Sequence, residues 1–272
     1  MDKQKYLVVL GGSPRGGEKA WNSLYKYVKN HLKADLAICT GKKWLNSQSF
    51  IEKADHDWTF EEAYSSLGEK KIYCYDYSVN TRFWFVRFIK SLLNILLLRD
   101  PLINFQKLFN YIKYKSFFNS KKNFHYKNFI SPNSMKKNLF NNNVHISLND
   151  IVKKIEKNFF LKIDIEGSEY RILNEILENS SKINGLVIEF HDFDLHYNSI
   201  QNFINKFELE LIHIHVNNYG TINKDGLPSV VELSFASSNF FEKNKKNDKS
   251  YPDPNLDMPN NKELIDNEIS FY

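Results

Sequence analysis

The stretch "FFLKIDIEGSEYRIL", residues 159–173, decides how the chain is read. Its first half, "FFLKIDI", is an apolar run of strand length, as expected for a strand covered on both faces in a parallel sheet. Gly167 follows and permits a tight strand-to-helix turn. A helix is expected over "SEYRILNEILEN", with Tyr170, Leu173, Ile176 and Leu177 on one face. Two carboxylates, Asp164 and Glu166, stand where the strand ends. Ionised acids lose hydration in such a place, at a cost that needs compensation. For Glu166 and Glu169 a structural account exists, since acids favour the N-terminus of the helix that follows. Asp164 has none: the flanking Ile163 and Ile165 turn it away from their own face, which marks it as functional.

Outward from this stretch, strands and helices alternate. "GLVIEF" reads as the next strand and delivers Glu189, His191 and Asp192 at its end. "SIQNFINKF" is helical, with Ile200, Phe203, Ile204 and Phe207 at i, i+3, i+4 and i+7. "LELIHIHVNN" and "VVELSFA" form a closing hairpin around the turn-rich "YGTINKDGLP". In its first strand, Ile212, Ile214 and Val216 face one side and His213, His215 and Asn217 the other. Upstream, "VHISL" is a short strand and "NDIVKKIEKN" a helix capped by Asn149 or Asp150. "KKIYCYDYSV" is a strand ending at Asp76. "KYLVVLGG", a helix through "KAWNSLYKYVKNHL" and "ADLAIC" make a β-α-β unit.

The predicted fold is therefore α/β: a Rossmann-like, open, mostly parallel sheet with an antiparallel strand near its edge and helices on both faces. Three regions are expected. Residues 1–68 carry the N-terminal β-α-β segment, and 69–238 the main domain, with a helical and loop insertion at 80–143. Residues 239–272 form a polar tail that wraps the surface or stays loose.

With 272 residues, 42% of them hydrophobic and 15% aromatic, the chain can build a large core. The net charge is +5, and the lysines are mostly interleaved with asparagines in polar stretches such as "NSKKNFHYKNF". That pattern reads as solvated surface, and no nucleic-acid-binding motif accompanies it. Cys39 and Cys74 lie inside apolar stretches without metal-type spacing, as buried thiols of a reducing, cytoplasmic compartment do. "FWFVRFIKSLLNILLL", 83–98, is too short and too charged to span a membrane. It reads as a buried or half-buried helix; a helix lying on a membrane surface is the second reading, because bulky apolar residues sit beside cations.

Ligands of open α/β sheets bind beyond the carboxyl ends of the parallel strands. Asp76, Asp164, Glu166, Glu189 and His191 are expected on that rim, with His213, His215 and Asn217 nearby. Such a cluster suits proton transfer from a hydroxyl or capture of a divalent cation. The alternative for His213 and His215 is that of sheet histidines satisfied in place.

"FFLKIDIEGSEYRILNEI" followed by "GLVIEFHD" resembles the signature of the FkbM-type methyltransferases, over roughly residues 144–236 and again at "KIYCYDYSV". The resemblance implies a Rossmann-like enzyme that uses S-adenosylmethionine, most often to methylate a hydroxyl on a sugar or another small-molecule or glycan acceptor. It implies Asp76 as the carboxylate for the cofactor ribose, and Asp164, with Glu166 and His191, beside methyl transfer. His213, His215 and Asn217 would then hold the acceptor. The glycine-rich cofactor loop of the family is not recognisable. "KADHDWTFEEAYSSLGEKK" stands in its place, without a glycine before Gly68, and offers Glu61 or Glu62 near the cofactor amine.

Two other readings stand beside this one. The "GGSPRGG" turn, with Arg15 before a helix, could cradle an anion, as in a flavin- or nucleotide-binding protein. A non-catalytic relative could use the same cleft to bind a glycan or a partner.

Overall fold

The computed structural model describes the backbones of 7–10 and 36–39, residues 71–132 and 145–240 with a few gaps, and parts of 251–269. The "GGSPRGG" turn, Glu61, Glu62 and the helix expected after residue 18 lie outside the described residues.

The chain has a mixed α/β fold. Strands β1 (Leu7–Leu10), β2 (Leu36–Cys39) and β3 (Ile72–Tyr75) precede two helices, α1 (Thr81–Leu96) and α2 (Pro101–Phe118). Strand β4 (Asn123–Tyr126) follows, then a small parallel pair, β5 (Phe129–Ile130) and β6 (His145–Ile146). The remaining elements are α3 (Leu148–Lys153), β7 (Phe159–Ile163), α4 (Leu173–Glu178), β8 (Ile183–His191), α5 (Phe193–Lys206), β9 (Glu210–Val216) and β10 (Val230–Ala236). Eight strands form one sheet in the order β4-β3-β2-β1-β7-β8-β10-β9. From β4 to β8 the neighbours run parallel. β10 runs antiparallel to both β8 and β9, which puts the antiparallel strand next to the edge. The N-terminal strands are thus part of the same sheet, β1 pairing directly with β7.

β7 explains the centre of the fold. Phe159, Phe160, Leu161 and Ile163 are all buried, as a run of apolar side chains covered on both faces requires. On α5 the spacing read from sequence does its work: Ile200 and Phe203 are buried, and Phe203 and Phe207 pack against Phe235 of β10 at ring separations of 5.9 and 5.3 Å. Ile176 of α4, 0% exposed, and Ile151 and Val152 of α3 close the same core.

Three local expectations are corrected. The cap of α3 is Ser147, whose Oγ accepts from the amide of Asp150 at 3.1 Å; Asn149 and Asp150 are already inside the helix. The helix expected over "SEYRILNEILEN" is broken into a 3-10 turn at Glu169–Arg171 and then α4, because the Glu169 side chain folds back onto the preceding loop. "NFHY", inside the expected helical and loop insertion, is edge strand β4, which among the described residues pairs with β3 alone. An edge strand tolerates polar residues because one side has no neighbouring strand.

Both expected helices exist: the one read at 83–98 lies two residues earlier, at Thr81–Leu96, and the one read at 102–114 is extended to Pro101–Phe118. α1 is half-buried: Trp84, Arg87 and Ser91, spaced three and four apart, turn inward, and Trp84 stacks near Tyr111 and Tyr114 of α2. No helix among the described residues is long and apolar enough to cross a membrane.

Candidate functional site

The parallel run from β3 to β7 sets the rim. Both strands point the same way through β2 and β1, so Asp76 after β3 and Asp164 after β7 leave the sheet on the same side. Beyond Ile163 the chain turns sharply. Glu166 adopts φ 55° and Gly167 φ 89°, both in the left-handed region. Glycine enters that region without strain, and a glutamate is held there only by its surroundings.

What holds the turn is Glu169. Its Oε1 accepts from the amide of Ile165 at 3.0 Å and from that of Gly167 at 3.1 Å. The same oxygen lies 3.2 Å from Nδ1 of His191, at the end of β8. On the other side of the imidazole, Nε2 lies 3.1 Å from Oε2 of Glu166. His191 is thus clamped between two carboxylates. Burial disfavours its charged form, but Glu166 and Glu169 outweigh that and raise its pKa to about 11. In its charged form the ring is a counter-charge for the two acids.

Asp164 is 1% exposed, and its Oδ1 has no hydrogen-bond partner among the described residues. Burial, followed by the charges of Glu189 and Glu166, pushes its pKa well above the ordinary carboxylate value; His191 works the other way. Oε2 of Glu169 is likewise buried without a partner. One ligand atom each from Asp164, Glu169 and His191 lies within 4.8 Å of the others. The donor set therefore suits a divalent cation, which would displace the proton of His191.

The remaining expected residues divide. Asn217 joins the site: its Nδ2 donates to Oε1 of Glu189 at 2.6 Å, and its Oδ1 accepts from the amide of Tyr219. Asp76 is buried on the rim, its Oδ1 3.4 Å from the amide of Val79. His125 of β4 supports that end of β3, with Nε2 2.9 Å from the carbonyl of Asp76 and Nδ1 hydrogen-bonded to the hydroxyl of Tyr114. His213 and His215 are instead engaged by the C-terminal tail. Nε2 of His213 meets Asp257 at 2.7 Å. His215 lies between Glu232, 3.5 Å from Nδ1, and Asp266, 3.1 Å from Nε2.

Sequence reasoning missed Glu169 as a site residue, having read it as an acid at a helix N-terminus. The available signal was the "EGSE" string itself: an acid two residues beyond a glycine turn can reach back to the turn's amides. Tyr170 was also read only as helix-face packing, whereas its hydroxyl donates to the carbonyl of His191 at 2.6 Å and fixes the end of β8.

Residues 124–219 match the methyltransferase FkbM domain. The match runs from β4 to just beyond β9. It contains Asp164, Glu166, Glu169, His191 and Asn217; Asp76 lies upstream of it. No curated protein and no solved structure matches the chain.

Proposed function

We infer that the protein is an S-adenosylmethionine-dependent methyltransferase acting on a hydroxyl oxygen of a sugar or a similar small acceptor. Methyltransferases of the FkbM family generally use this cofactor. We read the eight-stranded sheet as the Rossmann-like architecture of such enzymes. The observation that carries the reading is Asp164: a buried carboxylate with one oxygen that has no hydrogen-bond partner among the described residues, at the end of a central parallel strand, inside the matched domain.

The residues present fit the cofactor. Asp76, at the end of β3, would accept from the ribose hydroxyls. The buried acids around Asp164 would favour a positively charged donor beside them. When bound, the cofactor supplies an electrophilic methyl group on sulfur. The chain's own work is alignment and proton handling. Asp164 takes the proton of the acceptor hydroxyl, and its raised pKa makes it a stronger base than an exposed aspartate. His191 balances the charge of Glu166 and Glu169 and keeps the loop between Ile165 and Gly167 in place. Asn217 holds one oxygen of Glu189, whose charge acts on Asp164. If a divalent cation is used, Asp164, Glu169 and His191 would hold it, and it would acidify the acceptor hydroxyl.

The test is transfer of a labelled methyl group from S-adenosylmethionine to a panel of sugar and polyol acceptors, with and without chelator. Transfer by the wild type and its loss in Asp164→Asn, with the fold intact, support the reading. Full turnover by Asp164→Asn overturns the catalytic assignment.

A further inference from the structure

Helices α1 and α2 leave a large apolar surface in solvent. On α1, Phe85, Phe88, Leu92 and Leu96 form an exposed stripe at helical spacing, about 100° round the helix from the buried Trp84, Arg87 and Ser91. On α2, Leu102, Phe105, Phe109 and Ile112 repeat the pattern. The connection between the helices and the first turn of α2 are the most exposed part: Leu98 is 83% and Leu102 80% accessible. Contiguous apolar surface of this kind marks an interaction site.

Charge says what the site meets. Residues 82–118 hold seven cations, Arg82, Arg87, Lys90, Arg99, Lys107, Lys113 and Lys115, against one acid, Asp100. That net of six compares with five for the whole chain, so the positive charge of the protein resides in this hairpin. Lys90, Arg99, Lys113 and Lys115 are exposed. Lysine is depleted in protein–protein interfaces. Bulky apolar residues bordered by lysine and arginine, without acids, are what a helix needs to lie in the headgroup region of an anionic bilayer. Long cationic side chains reach the phosphates while their stems stay in apolar surroundings.

We propose that the α1–α2 hairpin docks the protein on an anionic membrane surface, its leucine-rich connection entering the acyl boundary and its cations pairing with lipid phosphates. This does not depend on the methyl-transfer reading.

Co-sedimentation of the full chain with vesicles tests it. Phosphatidylcholine mixed with phosphatidylglycerol should retain the protein; phosphatidylcholine alone should retain far less, and high salt should release it. Replacing Lys90, Lys113 and Lys115 together by glutamine should weaken binding on the order of 100-fold, given the contribution of each cation near a charged surface. The double variant Leu98→Glu/Leu102→Glu, altered only at exposed positions, should melt like the wild type and lose binding. No binding to either vesicle, equal binding to both, retained binding by the leucine variant, or a solution dimer that buries the hairpin would overturn the proposal.

Discussion

Oε1 of Glu169 lies 3.2 Å from Nδ1 of His191 while also accepting from two backbone amides of the loop that carries Glu166 and Gly167. One carboxylate oxygen thus ties the ends of β7 and β8 together. Glu169→Ala leaves two inward amides without an acceptor and should cost about 2–4 kcal/mol, read by urea denaturation. Glu169→Gln keeps an acceptor oxygen but removes the charge. The His191 pKa, raised to about 11 in the wild type, should then fall markedly in a histidine NMR titration. An unchanged midpoint would show that Glu169 does not set it.

Asp164 makes the opposite kind of contribution. Its folded pKa is raised, so the unfolded chain ionises this group first as pH climbs. The native state therefore loses stability relative to the unfolded state above the unfolded-state pKa, about 4. Asp164→Asn should be more resistant to urea than the wild type at pH 7, with the advantage shrinking towards pH 4. An isosteric amide that destabilised the protein at pH 7 would contradict the burial argument.

The tail is held through His215 and Glu232. Burial opposes the charge on His215, but Glu232 and Asp266 raise its pKa to about 9. Against its own burial, contact with His215 lowers the pKa of Glu232 to about 2. The His215 contribution is complete below its unfolded value of 6.5 and disappears as pH rises through about 9. The Glu232 contribution is complete above 4.5 and disappears as pH falls through about 2. Asp266→Asn should lower the His215 midpoint and speed tryptic cleavage of the tail near pH 8. Cleavage at the wild-type rate would mean that the tail is held by other contacts, such as His213 with Asp257.

Gly167 needs its φ of 89°, although a Cβ built there would meet nothing within 4 Å. Gly167→Ala should accordingly cost only backbone strain, about 1–3 kcal/mol in urea denaturation. A neutral result would mean that the turn relaxes.

The parts of this architecture set by apolar periodicity could be read in advance. β7 is a continuous apolar run because it is covered on both faces, β9 and β10 alternate, and α5 repeats every three to four residues. The acids at the ends of β3 and β7 followed from the same register. Glu169 was not legible in that way, because its role depends on a left-handed turn that brings its carboxylate back to the loop. Nor were the partners of His213 and His215, since Asp257 and Asp266 come from a tail without periodic pattern, some 40 to 50 residues downstream. β4 escaped notice because an edge strand of four residues can be as polar as a loop.

The most direct test of the account is calorimetric titration of the purified chain with S-adenosylmethionine and with its demethylated product. Saturable binding of both is expected, weakened about tenfold or more by Asp76→Asn through loss of a charged hydrogen-bond acceptor, and largely retained by Asp164→Asn. Absence of binding by the folded wild type, or undiminished binding by Asp76→Asn, would contradict it.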